Sequence, residues 1–297
     1  MHTETEKQTP SLSFEFFPPH STAANLRLWR SVERLAPLAP QFVSVTYGAG
    51  GATRERTMSA ITTIKDRARL NIAGHLTCVG ASREETLEVA RSYARKGVKR
   101  IVALRGDAPK GESHFTPHPD GFASAAELVA GLKAEGDFDI SVAAYPEKHP
   151  EAESLKSDVE NLKRKVDAGA SHAITQFFFE KDDFLRFRDL AVKSGINVPI
   201  IPGILPVEDF QKMTRFAAMC KATVPDWMHK AFKNANSLEE TGILSTALAT
   251  ELCDDLMSEG VQHLHFYTLN NPDLTYNICR GLGVPVNSFA AQNGLVA

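Results

Sequence analysis

The sequence predicts one closed (β/α)8 barrel, an α/β fold of TIM-barrel type. Three observations lead there. Eight short β-branched or aromatic runs alternate with longer amphipathic stretches, and the runs are apolar on both faces, as in parallel strands covered by helices. The longest connecting segments follow strands, where a barrel carries its active site.

The first half offers strands over SLSFEFF (11–17), FVSVTYG (42–48), IAGHLTCV (72–79) and RIVALRG (100–106). The second half offers DISVAAY (139–145), HAITQFFF (172–179), VPIIPGIL (198–205) and VQHLHFYTL (261–269). The helical pattern is clearest over 153–170, where Leu155, Val159, Leu162 and Val166 recur at helix spacing. Gly97, Gly169 and Gly195 read as helix stops before the next strand. Long loops are expected over 108–121 and 145–153, and a helical insertion around 221–238 before the last long helix. An open doubly wound sheet is the competing architecture. It ranks second because no segment reads as a domain boundary. The expectation is a single domain over 1–297, with 1–10 as a flexible N-terminus and 286–297 as a C-terminal tail.

Composition narrows the function classes. A net charge of -3 gives no broad basic field for nucleic acid or an anionic membrane. Cys78, Cys220, Cys253 and Cys279 form no CxxC pair and suggest buried thiols in a reducing compartment. Residues 35–53 carry no charge before Arg54, but Pro37, Pro40, Gln41 and three glycines argue against a membrane span. The opening MHTETEKQTPS does not have the pattern of a secretory signal. A cytoplasmic protein is expected.

Polar residues gather near the strand ends. Glu15 lies between Phe14 and Phe16, and an acid in such apolar surroundings is expected to be desolvated, which favours its neutral form. It could serve as a general acid, or merely pair with a base inside the barrel. Strand four ends in Arg105-Gly106-Asp107, where the glycine admits a flat ligand close to the backbone; the alternative is a salt bridge to the next loop. Thr46-Tyr47-Gly48-Ala49-Gly50-Gly51 could present backbone N–H groups to a phosphate, but lacks the third glycine of GxGxxG. Asp158, Asn161 and Lys165 form one polar helix stripe with Arg164 beside it, the usual pattern of a solvated face. His75 and His149 read as structural histidines. His263 and His265 share a strand face but lack a third, acidic ligand, so no metal is expected. Gln176, before Phe177-Phe178-Phe179, suits a flat heterocycle or simply precedes core.

The ordered set SFEFFPP (13–19), FVSVTYGAGG (42–51), GHLTC (74–78), IVALRGD (101–107) and DISVAAYPEKHPEA (139–152) resembles methylenetetrahydrofolate reductases of the short bacterial type. NLKRKVDAGA (161–170), AITQFFF (173–179), IIPGILPV (200–207) and HFYTLN (265–270) extend the resemblance to nearly the whole chain. The resemblance implies a (β/α)8 flavoenzyme that binds FAD without a dinucleotide-binding fold. NADH or NADPH would first reduce the flavin, and the folate would then take the hydride in overlapping space. It implies Glu15 as the acid that opens the folate's imidazolidine ring and Asp107 beside the flavin's pyrimidine edge. Flavin contacts would come from Thr46, Tyr47, Ala49, His75, Arg105, Gly106, Asp107 and Ala123. Further contacts would come from Tyr145, His149, Ala152, Asp158, Asn161, Arg164 and Lys165, which moves the helix stripe from solvent to site. Thr46, Gln176, Phe177 and Phe216 would meet nicotinamide and folate in turn.

Asn271 stands where well-known bacterial members carry arginine, and Lys212 where they carry glutamine, both toward the folate's glutamate end. The long regulatory region of animal members is not seen, and a homo-oligomer is expected. Two rivals stand beside this reading. Glu15 and Asp107 could serve a glycosidase, for which Trp29 and Trp227 are the available sugar platforms. A folate-binding barrel without redox function is the other.

Overall fold

The computed structural model describes residues 9–47, 51–108, 114–235 and 237–287. The terminal expectations therefore fall mostly outside the described residues, as does Ala49. The strands are β1 (Ser11–Phe16), β2 (Phe42–Val45), β3 (Ile72–Thr77), β4 (Arg100–Leu104), β5 (Asp139–Ala144), β6 (His172–Phe177), β7 (Ile200–Ile204) and β8 (His263–Tyr267). The first five helices are α1 (Thr22–Leu35), α2 (Gly51–Ala68), α3 (Arg83–Arg95), α4 (Ala125–Glu135) and α5 (Leu155–Asp167). Then come α6 (Lys181–Lys193), α7 (Phe210–Cys220), α8 (Asp226–Lys233), α9 (Leu238–Ser258) and α10 (Pro272–Gly281). Each strand pairs in parallel with the next, and β1 closes on β8 with Ser13 opposite His265 and Glu15 opposite Tyr267. The (β/α)8 barrel is the observed fold. All eight expected strands form, each one to four residues shorter than its sequence run. The helix α8 is the insertion expected around 221–238.

Strand alternation sorts the residues. Leu12, Phe14 and Phe16 point outward and pack with Leu28, Val32 and Leu35 of α1, so the barrel-to-helix layer is the main core. Inside the barrel, Phe42, Ala73, Val102, Ile174 and Ile201 make a thin apolar layer. At its N-terminal side Asp139 binds Arg100 at 2.6 Å and His172 at 3.3 Å, and these partners hold its carboxyl well below the usual range. Serine N-caps at Ser124 and Ser154 start α4 and α5 directly from the loops at the opposite mouth. Each such cap contributes about 1 kcal/mol and sets where those helix ends stand.

Two tight contacts shape the mouth. Tyr93 of α3 covers Gly74, where an added Cβ would meet the ring at 2.5 Å, and its hydroxyl donates to the His75 carbonyl. Between β6 and β7 the register shifts across Ile174–Phe177. There Thr175 Oγ1 accepts from the Gly203 N–H, and the Tyr267 hydroxyl donates to the Thr175 carbonyl at 2.6 Å. Among the described residues no helix is long and apolar enough to cross a membrane.

Candidate active site

A cavity of about 900 Å³ opens where the strands end, at the upper end of the usual range for small-molecule sites. Tyr47, Arg105, Gly106, Asp107 and Ala123 line it from one side. Tyr145, His149, Ala152, Asp158, Asn161, Arg164 and Lys165 line the other. The α5 stripe is thus not a solvated face: Asp158 and Lys165 are each 5% exposed. Asp158 Oδ2 accepts from the His149 backbone N–H at 2.8 Å, and Lys165 Nζ donates to the Ala143 carbonyl at 2.6 Å. Burial pushes the Lys165 ammonium down to about 8, against the attraction of Asp158. Burial likewise lowers His149 and raises the Tyr145 phenol.

Arg105 does bridge to the next loop, as its plain reading expected, through a fork to Glu151 at 2.6 and 3.0 Å. It also lines the cavity. At Gly106 (φ +90°) a Cβ would sit 2.6 Å from Val79 Cγ1, so the chain passes bare between strand end and cavity. The exposed Asp107 follows it at the lip.

Glu15 corrects one expectation. Its flanking phenylalanines point to the opposite face, so the carboxylate is not in an apolar sleeve. It stands inside the barrel, 16% exposed, with Oε2 3.4 Å from His75 Nε2 and 3.9 Å from His265 Nε2. Burial lowers His75 in spite of the nearby carboxylate, which keeps that imidazole neutral. His75 therefore does not line the large cavity; it stands beside Glu15 in the barrel interior. The atoms His75 Nε2, Ser44 Oγ and Thr77 Oγ1 are buried without a hydrogen-bond partner. Orphaned polar atoms of this kind mark a place completed by a ligand or water.

The substrate-side expectations separate. Thr46 lines a smaller neighbouring cavity with Phe17, His20, Arg27 and Asn270. Gln176 sits at the β6 end, its Oε1 accepting from the Phe177 N–H. Phe177 is a correction: its ring is 1% exposed and stacks at 5.4 Å on the half-buried Phe216 of α7, so it is core beneath Phe216. The shifted β6–β7 register accompanies that placement. Lys212 is 76% exposed and tied to Asp209 at 3.1 Å. Asn271 caps α10 without a side-chain capping bond. Trp29 lies on α1, and Trp227 on α8 donates its Nε1–H to Glu180 Oε1 at 2.6 Å just past the end of β6; neither lines the large cavity beside Asp107, so no sugar platform faces that acid. Among the described residues no three His, Cys, Asp or Glu side chains gather to hold a metal.

Three neighbours escaped the sequence reading, and a fourth, His265, was weighed there only as a metal ligand. Glu151 is separated from Arg105 by 46 residues, with no local signal. Ser13, His265 and Tyr267 face Glu15's surroundings from β1 and β8, and strand alternation could have grouped them.

A closed parallel barrel with a large cavity at its strand ends, lined by charged side chains, defines an enzyme of the α/β-barrel class. Comparison with known proteins then specifies it. Residues 1–283 match the family model "Methylenetetrahydrofolate reductase". The chain is 50% identical to 5,10-methylenetetrahydrofolate reductase of Escherichia coli strain K12, covering 92% of this chain and 91% of that protein. The Pectobacterium carotovorum enzyme is also 50% identical, with 92% and 90% covered. "Methylenetetrahydrofolate reductase (NADH) 1" of Arabidopsis thaliana is 35% identical over 94% of this chain but 49% of its own length. A Clostridium thermocellum protein solved with two copies of 5-methyl-5,6,7,8-tetrahydrofolic acid superposes with a TM-score of 0.62. Its identity is 14%, with 94% and 96% of the two chains covered, so it shows the shared fold alone. The chain belongs to the methylenetetrahydrofolate reductase family, and methylenetetrahydrofolate reductase is its enzyme class.

Proposed function

We propose that the chain reduces 5,10-methylenetetrahydrofolate to 5-methyltetrahydrofolate with hydride drawn from NADH or NADPH through bound FAD. The observation that carries this reading is the pairing of a dinucleotide-sized cavity, with two charged side chains buried in its wall, and an acid inside the barrel next to orphaned polar atoms. The residues fit FAD: the N-terminus of α4 at Ala123–Ala125 and the Arg164 guanidinium suit a pyrophosphate. Asp158, Asn161 and Lys165 would hold the hydroxylated chain, and Arg105, Gly106 and Asp107 the ring edge. Bound FAD would supply a two-electron carrier that the protein's side chains lack.

Glu15 would protonate a folate nitrogen as the imidazolidine C–N bond breaks, leaving the carbon open to hydride. Asp107 would set a negative charge beside the ring system and favour hydride departure. Thr46, Gln176 and Phe216 would position the nicotinamide and the folate in turn. The same geometry serves the reverse reaction, so an organism living on methylated compounds could run it oxidatively. A cytoplasmic setting suits the unpaired thiols. Copies of the chain are expected to associate, covering exposed apolar side chains such as Met219 and Leu238. The test is product analysis: nicotinamide oxidation should match formation of 5-methyltetrahydrofolate mole for mole, and nicotinamide consumption with unchanged folate would sink the reading.

Two predictions belong here. Lys165, held at about 8 against an ordinary value of 10.5, costs on the order of 3 kcal/mol when protonated in the ligand-free cavity. Hydroxyl oxygens accepting from Lys165, with the pyrophosphate charge beyond them, would favour the charged form. FAD affinity should therefore weaken as pH rises above about 8, by up to about ten-fold per unit. Without FAD, stability should rise over the same range toward 10.5, because the unfolded chain then holds the extra proton. Flavin fluorescence titration checks this, and Lys165→Met should flatten the dependence.

Asn271→Arg should lower KM for the folate several-fold while flavin reduction by nicotinamide stays as it was, because Lys212 is already engaged by Asp209. Steady-state kinetics with varied folate decides it, and an unchanged KM would place the glutamate end elsewhere.

A further inference from the structure

Below Glu15, a row of inward-facing side chains from β1 and β8 continues down the barrel axis. Ser13 Oγ lies 2.7 Å from His265 Nδ1 and 2.9 Å from His263 Nε2, so one hydroxyl joins two imidazoles. Ser13 and His265 are fully buried, whereas His263 is only half-buried at the N-terminal end of β8. On the other side, His265 Nε2 faces Glu15 Oε2 at 3.9 Å, and a small turn of the carboxylate away from His75 closes that gap. Polar atoms thus run from the N-terminal mouth to the acid.

We propose that His263, Ser13 and His265 form an axial proton path that recharges Glu15 from the N-terminal mouth of the barrel. This rests on the proposed general-acid role of Glu15. Folate reduction consumes one hydride and one proton, so the acid must be refilled in every cycle. Ligands stacked over the C-terminal mouth cover the direct route from water, and the axial row reaches the acid from behind.

The hydrogen bonds allow one consistent direction. His263 Nε2–H donates to Ser13 Oγ, Ser13 Oγ–H donates to His265 Nδ1, and His265 Nε2–H points at Glu15. A water proton taken up at His263 Nδ1 shifts each of these protons one place along. Glu15 ends protonated, both imidazoles end neutral, and no bond other than N–H and O–H is exchanged. After product leaves, a water proton taken up at His265 Nε2 and one released to water at His263 Nδ1, with the protons between them stepping back one place, restore the starting tautomers. The surroundings favour passing the proton over storing it. His263 faces His265 of its own strand, Arg100 of β4, His172 of β6 and the Phe42 ring of β2, while Asp139 of β5 is engaged by Arg100 and His172. Burial first, and then the neighbouring imidazoles and the Arg100 guanidinium, lower His263 to about 3. His265 in turn faces Glu15, Ser13, Phe42 and Tyr267.

The experiment mixes flavin-reduced holoenzyme anaerobically with methylenetetrahydrofolate in weakly buffered solution containing phenol red. Flavin reoxidation and proton uptake are read in the same trace. In the natural protein and in Ser13→Thr, uptake should keep pace with reoxidation while product is still bound. In Ser13→Ala and His263→Gln it should lag by about ten-fold or more and follow product release. Uptake in step with reoxidation in both of those variants, or a lag in the natural protein, overturns the path. The underlying acid role is read separately: a Glu15→Gln protein that still reoxidises its flavin with folate removes that role, whatever the variants below it do.

Discussion

Glu15→Gln should slow folate reduction by about 10²- to 10⁴-fold while leaving flavin reduction by nicotinamide nearly intact. The amide keeps the size of the side chain and its place between His75 and His265, but has no acidic proton to give. The amide also stands between His265 and the ligand side of the barrel, and the other two neighbours do not replace the acid. His75 is held neutral by burial, and burial raises the Tyr267 phenol far above its ordinary value, making it a poor donor. Nicotinamide needs no such proton, so the two half-reactions should separate cleanly in rapid mixing. Equal loss of both steps with flavin still bound would refute the assignment of the acid.

Gly203→Ala should destabilise the protein by about 3 kcal/mol or more. An ideal Cβ there lies 2.2 Å from the Thr175 carbonyl oxygen and 2.5 Å from Tyr267 Cε2. One neighbour is backbone and the other is fixed by its own bond to that carbonyl, so neither can yield without opening the shifted β6–β7 pairing. The methyl would also push Tyr267 against Glu15's surroundings, so folate reduction should fall with stability. Tyr267→Phe keeps the ring and loses only the hydroxyl, and should cost about 1 kcal/mol. Denaturation midpoints of the two variants test the pair of values; a Gly203→Ala protein within about 0.5 kcal/mol of the natural one would contradict the close packing.

The architecture was legible because each strand is apolar on both faces and bounded by helix stops and polar loops, local signals that survive in one sequence. The positions around Glu15 were harder. Reading Phe14-Glu15-Phe16 as an apolar setting ignored alternation: neighbours in sequence face opposite sides of the sheet. Phe177 was misplaced for a related reason, since the register shift across Ile174–Phe177 depends on Thr175, Gly203 and Tyr267 meeting across three strands. The helix stripe Asp158–Asn161–Lys165 went the other way. Its spacing matches a solvated face, and the loop 145–153 folding over it, with the Ala143 carbonyl of β5 taking Lys165, creates the burial that puts it in the cavity wall.

Anaerobic half-reactions of the purified protein bear most directly on the whole account. Nicotinamide should bleach the flavin absorbance, and methylenetetrahydrofolate added afterwards should restore it with one 5-methyltetrahydrofolate formed per flavin. A protein that purifies without flavin and cannot be loaded, or one whose bleached flavin stays bleached when the folate arrives, would contradict it.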